Sequence, residues 1–371
     1  MTFTFLHTAD WQIGKAFGGL PKDVAAALTD ARLAAIDRLA DVAHAAGARH
    51  VLVAGDVFDS EAPAPKTVRQ ALARMTRHGE LTWHLLPGNH DAHRPGGLWE
   101  RMVLDDLPAN IRPHLTPLPV EIAPGVWLLP APLTGRAVST DPTAHLDTAA
   151  TPAGALRIGL AHGSVRGFGS DGDAPVLISR SRAQSARLDY LALGDWHGAL
   201  RIDERTWYAG TPEPDRFLGN DAGHALIVRI AGPGKPPGVE KVRMAQFVWL
   251  RMEHVVSGAD SLSALETLIA KAADRPSDVL LQLELTGCVS ATERQEVLRR
   301  LRTIEAGLRH LETDMARLSV KASSADLDAL GAMGELRLVG ERLSQLTEDS
   351  AAPEALSLLF DLAAETHSVR A

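Results

Sequence analysis

Three observations on this 371-residue chain predict a mixed α/β fold. Short apolar runs rich in β-formers alternate with Ala/Leu-rich stretches whose charges recur at helical spacing. The runs end repeatedly in Gly, Asp, Asn or His, which is where α/β layers place their ligand sites. Apolar residues make up 45% and charged residues 23% of the chain, so it is globular rather than disordered or fibrous, and its length suits two or three domains.

FTFLHTAD opens the chain as a buried strand that delivers Asp10 and Gln12. Asp23 to Gly47 reads as a helix stopped by its terminal Gly. HVLVAGDVFD is the next strand and carries Asp56; Lys66 to Gly79 is a second helix. LTWHLLPGNHD delivers Asn89, His90 and Asp91, LRIGLAHGS delivers His162, and DYLALGDWHG delivers Asp195 and His197. Beyond Leu200 come strands and turns: RTWYAGTPEP, HALIVRI, the Gly/Pro segment GPGKPPG, and VEKVRMAQFVWLRMEHVV as one strand.

A boundary near Trp249 closes a first domain, residues 1–249. Residues 250–325 then read as a small α/β unit: helix Ser261–Ala273, strand Val279–Thr286, helix Thr292–Gly307 and strand Glu312–Val320. Residues 326–371 are Ala/Leu-rich helix interrupted at Gly331, Gly334 and Gly340, with Pro353 opening the amphipathic ALSLLFDLAAE.

The single cysteine, Cys288, excludes an internal disulfide and a multi-thiolate metal site. MTFTFLHTAD lacks the pattern of a secretory signal, and no apolar run approaches a spanning helix, so the expectation is a cytoplasmic protein with no membrane partner. A formal net charge of -8 looks unfavourable for a polyanionic ligand. The charge is uneven: residues 251–371 hold 13 Lys and Arg against 20 Asp and Glu, leaving 25 against 26 for residues 1–250.

One strand-end histidine or one Gly-Asp turn means little, because Asp bonds its own backbone and Gly supplies positive φ in ordinary turns. Five such motifs in one domain converge if their strands are neighbours. Asp10, Gln12, Asp56, Asn89, His162, Asp195 and His197 offer oxygen and imidazole donors without thiolate, which suits Mn²⁺, Mg²⁺ or Fe²⁺ better than structural zinc. Seven donors exceed the needs of one ion. Two ions about 3.5–4 Å apart, sharing a carboxylate, can bind both oxygens of an in-line displacement at phosphorus and hold a bridging hydroxide as nucleophile.

In their order, HTADWQIG, AGDVFD, LPGNHD, the lone His162 and LGDWHG resemble the calcineurin-like metallophosphoesterase superfamily. With YAGTPEPDRF following, they resemble more specifically its SbcD branch, the nuclease subunits of DNA-repair complexes. The resemblance covers the first 215 or so residues, and the small α/β unit is similar to that branch's capping domain. It implies a four-layer sandwich of two mixed sheets flanked by helices. It also implies that Asp56 bridges the metals, with Asp10 and His197 on one ion and Asn89 and His162 on the other. His90 would donate to the leaving oxygen while Asp91 fixes its tautomer. Two positions depart from the family pattern: Gln12 and Asp195 stand where histidines are usual. Both remain metal-competent, and the extra carboxylate points to Mn²⁺ first, ahead of Zn²⁺.

The implied activity is DNA hydrolysis; a phosphatase, a small-nucleotide phosphodiesterase or a non-catalytic scaffold would use the same fold. The implied partner is an SbcC-like coiled-coil ATPase at the C-terminal helices, where Leu336, Leu343, Leu346, Leu356, Leu359 and Phe360 otherwise pack on the chain's own core. The oligomeric state, a homodimer included, is not legible. Lesser candidates are phosphate contacts from His93, Arg94 and the loop SVRGFGSDGD with Arg166, a basic track of Arg180, Arg182 and Arg187, and Thr211 and Glu213 bordering the site. His7 either supports the site or bonds backbone. Trp11 and Trp196 either stack on a base or pack beneath the ligands.

Overall fold

The computed structural model describes residues 2–167, 175–321, 326–328, 335–346, 351, 352, 354–356, 358–360 and 362. The chain gathers into two compact units, Met1–Asp215 with Asn220–Phe247, and Arg216–Gly219 with Val248–Ala371.

In the first unit the order is β1 (Phe3–Thr8), α1 (Lys22–Ala45), β2 (His50–Val53), α2 (Pro65–Arg77), β3 (Thr82–Leu85), α3 (Leu98–Leu104), β4 (Ile111–Pro113), β5 (Val120–Ala123) and β6 (Val126–Ala131). There follow β7 (Leu156–His162), β8 (Ser164–Val165), β9 (Leu177–Ile178), α4 (Arg182–Ser185), β10 (Tyr190–Gly194), β11 (Leu200–Arg201), β12 (Thr206–Tyr208), β13 (His224–Ile230) and β14 (Gly238–Arg243). Two six-stranded mixed sheets result, ordered β14-β13-β1-β2-β3-β4 and β11-β12-β10-β7-β6-β5. Strands β1 to β4 run parallel in the first, and β12, β10, β7 and β6 in the second.

These strands are apolar on both faces because both faces are covered. On β1, Phe5 joins Leu52, Ile158, Leu160 and Tyr190 between the sheets, while Leu6 joins Ile36, Leu39, Met75 and Trp99 under the helices. Leu146, Ala183 and Leu188 cover the outer face of the second sheet. The result is the four-layer arrangement. Helix α1 buries Leu28, Ala35, Ile36, Leu39 and Ala43 at helical spacing, and the chain leaves it through Gly47 at φ 68°.

The expected single strand VEKVRMAQFVWLRMEHVV is two strands. The Met244 and Ala245 amides both donate to Gly223 O, which ends β14 and turns the chain into β15 (Val248–Val256) of the second unit. There β15, β16 (Val279–Val289) and β17 (His310–Val320) are all parallel, joined by α5 (Leu262–Ala272) and α6 (Ala291–Gly307). A capping box between Ser290 and Glu293 starts α6. Leu343, Leu356, Leu359 and Phe360 pack with Ala291 and Val320, whereas Leu338 and Val339 of α7 (Glu335–Gln345), and Leu346 just beyond it, are exposed.

The first sheet also carries three histidines that none of the candidate ligand sets uses. His50 Nδ1 lies 3.1 Å from His84 Nε2, and His84 Nδ1 lies 3.0 Å from His114 Nε2, so three stacked imidazoles form one hydrogen-bonded ladder. Burial, helped by the charge of Arg112, pushes His50 and His114 down to about 4, and His84 is lowered too. Neutral when folded, these rings take up protons on unfolding, so stability is full above the ordinary value of 6.5 and falls as pH drops toward 4. His84→Gln keeps hydrogen-bonding groups but removes one titrating site. Its melting temperature should fall less steeply than the wild type's between about pH 7 and about pH 4.5; equal slopes would exclude the ladder as a source of acid sensitivity.

Candidate metal centre

Parallel pairing puts the C-terminal ends of β1, β2 and β3 side by side in one sheet and those of β7 and β10 side by side in the other. Backbone bonds fix the exits: Asp10 N donates to Gly55 O at 3.1 Å, and Gln12 N to Asp56 O at 2.8 Å. Asp10, Gln12, Asp56 and Asp195 have φ of 54°, 43°, 52° and 104°. Such strain costs of order 1–3 kcal/mol per residue and persists where surroundings over-determine it. Glycine is required beside them. A Cβ on Gly88 would lie 2.2 Å from Asp56 Oδ1, and one on Gly194 would lie 2.0 Å from Ala54 O.

Ligand atoms of Asp10, Asp56 and His162, all buried, lie within 4.8 Å of one another. His162 Nδ1 bonds Ala54 O at 2.8 Å and must donate to it, which turns Nε2 toward the carboxylates. Nε2 is 3.6 Å from Asp56 Oδ1, 3.9 Å from Asp195 Oδ1 and 2.9 Å from the Asn89 amide. That amide is also 3.3 Å from both Asp56 oxygens: its nitrogen suits a bare carboxylate, its oxygen a cation. Asp195 is held by Ser164 Oγ at 2.6 Å, and its amide donates to both oxygens of Asp10.

Burial pushes Asp10 up to about 6, with His197 and His162 opposing and Asp56 and Asp195 adding to the rise. Burial alone would lower His162, but the charges of Asp56, Asp10 and Asp195 raise it to about 9. These carboxylates attract positive charge strongly enough to hold a proton on a wholly buried imidazole. A divalent cation satisfies them more fully and takes Nε2 as a ligand. The donor set therefore fits a hard divalent ion.

His197 Nδ1 lies 3.1 Å from Asp215 Oδ1, the carboxylate–histidine pairing that presents Nε2 to a metal. Burial pushes Asp215 up, yet the hydrogen bond from His197 and the charges of His197, Arg32 and Lys15 outweigh it and hold its carboxyl far below the usual range. Gln12 also reaches this cluster. Its Oε1 accepts from Lys15 Nζ at 3.1 Å and its Nε2 faces His197 Nε2 at 3.3 Å, because Lys15, 3.1 Å from Asp215 Oδ2, draws the amide oxygen away.

Asp91 does not orient His90. Its carboxylate is turned inward, accepting from Gly88 N at 2.7 Å and Phe58 N at 3.0 Å, and it closes the loop instead. Burial and the charge of Asp56 raise it to about 8. His90 bonds Asp59 O through Nδ1 at 3.2 Å, and its amide donates to Asp56 Oδ1 at 2.9 Å.

Thr211 and Glu213 are buried and support the fold. Arg32 reaches Trp11 O, Thr211 Oγ1 and Glu213 O, while Glu213 pairs with Arg38 and accepts from Gln246 N. The residue this loop contributes to the site is Asp215. His93 faces Glu100, Arg94 pairs with Glu61, and Arg166 is exposed after β8; residues 168–173 of its loop lie outside the described residues. Arg182 is buried against Asp141 and Asp147, which leaves Arg180 and Arg187 at the surface. His7 bonds Tyr190 and Leu193 O, and Trp11 packs on Trp83, but Trp196 is 45% exposed. Lys15, Asp59, Ser164 and Asp215 are the site neighbours that sequence reasoning missed. Lys15 directly follows HTADWQIG, and Asp59, Ser164 and Asp215 lie inside AGDVFD, LRIGLAHGS and YAGTPEPDRF.

Buried oxygen and imidazole donors at the strand ends of a two-sheet sandwich form a candidate divalent-metal centre. The chain belongs to the calcineurin-like phosphoesterase family, whose sequence profile matches residues 3–229, and it is thereby a metal-dependent phosphoesterase. No curated protein matches it. Among solved structures it is similar to TT1561 of Thermus thermophilus, at 11% identity and a TM-score of 0.42, over 66% of this chain and 100% of that one.

Replacing Asp215 by Asn keeps the shape beside His197 but removes the charge. Mn²⁺ titration should show affinity lowered roughly 10–100-fold; unchanged affinity would make the pairing purely architectural.

Proposed function

We propose that the chain is a two-metal phosphodiesterase hydrolysing DNA, an SbcD-like nuclease of repair or processing, with Mn²⁺ as its preferred metal. The observation that carries this reading is the meeting of Asp10, Asp56, Asn89, His162 and Asp195 at the strand ends, with His90 at their edge. Asp56 would be shared between the ions, Asp10 and His197 would hold one, and Asn89 and His162, with Asp195 beside them, would hold the other. Two divalent ions there would supply Lewis acidity at the phosphate and lower the pKa of a water between them.

The protein's own part is positional. His90 is 38% exposed in its side chain, and its Nε2 lies 4.0 Å from Asp56 Oδ2. With Nδ1 donating to Asp59 O, Nε2 is the ring nitrogen left on the side of Asp56, where it could give a proton to the leaving oxygen. Trp196, between Asp195 and His197, offers an exposed ring on which a nucleobase stacks, an interaction worth about 1–3 kcal/mol. Residues 1–250 carry 25 basic and 26 acidic residues, so two bound divalent ions make this part of the chain net positive. The acidic total is compatible with a polyanionic substrate. Three carboxylates and only two histidines in the donor set favour Mn²⁺ over Zn²⁺. An SbcC-like coiled-coil ATPase is the proposed partner of the exposed Leu338 and Val339 on α7.

End-labelled and circular DNA, single- and double-stranded, assayed beside a generic phosphomonoester, test the reading. DNA cleavage should require Mn²⁺, exceed that with Zn²⁺, vanish in Asp56→Ala, and fall roughly 10²–10⁴-fold in His90→Ala. Hydrolysis of the monoester alone would overturn the DNA assignment. Trp196→Ala should raise KM for DNA and leave kcat nearly unchanged.

A further inference from the structure

A second cluster of metal-ligating side chains lies at the other edge of the first sheet. His44 is in the last turn of α1, His78 follows α2, and Glu80 precedes β3. Both helices return the chain from strand C-termini to strand N-termini, so this cluster lies across the sheet from the centre described above.

His44 Nε2 and Glu80 Oε1 are hydrogen-bonded, and His78 Nδ1 is 4.0 Å from the same oxygen. The three ligand atoms lie within 4.8 Å of one another, and all three side chains are partly exposed. Tetrahedral ligands at about 2.0–2.1 Å stand roughly 3.3 Å apart, so small rotations of exposed side chains close the set. The other nitrogen of His78 argues for a ligand role. Nε2 bonds Asp37 Oδ1 at 3.0 Å, and Asp37 is anchored by Arg74, so the Nε2–H is committed and the Nδ1 lone pair faces His44 and Glu80.

We propose that His44, His78 and Glu80 bind a borderline divalent transition metal, for which Zn²⁺ is the probe, with a water completing the coordination. The ion would tie the end of α1 to the α2–β3 connection. Two imidazoles and one carboxylate prefer Zn²⁺, whereas the strand-end centre is richer in carboxylates. The site does not depend on the nuclease reading.

Metal content of the full chain, measured after dialysis against buffered Zn²⁺ with Mn²⁺ present, tests the site. Wild type should hold one more zinc per chain than His44→Ala or His78→Gln, and the difference should persist when Asp56→Ala is added. Asp37→Asn should weaken this zinc roughly 10–100-fold. Co²⁺ bound to Asp56→Ala should show a tetrahedral visible spectrum that His44→Ala abolishes. Equal zinc content in wild type and in both correctly folded histidine variants would overturn the site.

Discussion

The structure turns on one electrostatic demand, the burial of Asp10 and Asp56 with Asp195 beside them. Carboxylates removed from water at such separation cannot all stay ionised without compensation. Without an ion, the compensation is a proton on His162 and a rise at Asp10. Nearby cations are directed elsewhere. Lys15 is engaged by Asp215 and Gln12, and Arg32 is committed to the carbonyls of Trp11 and Glu213. What remains at the strand ends is a place for divalent charge.

The four layers exist to hold that place. Apolar residues on both faces of β1, β2, β7 and β10 fix the two sheets against each other. Strand ends from separate sheets thereby bring ligand atoms of Asp10, Asp56 and His162 within 4.8 Å of one another, and the stability of the cores offsets the left-handed conformations of Asp10, Gln12, Asp56 and Asp195. Gly88 and Gly194 let backbone approach Asp56 and Ala54 more closely than any side chain would permit. The same packing fixes hydrogen-bond roles: Ala54 O and Asp215 each take one nitrogen of a histidine, leaving the other for a metal.

Much of this was legible in the sequence because strand ends have a local signature. The apolar run followed by Ala-Asp, Gly-Asp, Gly-Asn-His-Asp or His locates Asp10, Asp56, Asn89 and His162 without knowledge of their contacts. Contacts made across the chain were not legible. Asp91 looks like a partner for His90 from adjacency, but the turn sends its carboxylate to the amides of Gly88 and Phe58. Asp215 pairs with His197 from eighteen positions away, and Lys15 decides where Gln12 points. Thr211 and Glu213 were misread because a loop beside a site can face the core, here drawn there by Arg32 and Arg38. The break between β14 and β15 was hidden because apolar alternation continues through Met244, while the bonds to Gly223 that end the pairing leave no mark in composition.

Equilibrium dialysis of the metal-depleted chain against Mn²⁺ tests the central claim most directly. Two saturable ions per chain are expected, both lost when the shared carboxylate is removed in Asp56→Ala, with the secondary structure retained. Absence of saturable Mn²⁺ binding to the wild type, or binding indifferent to Asp56, would contradict the account.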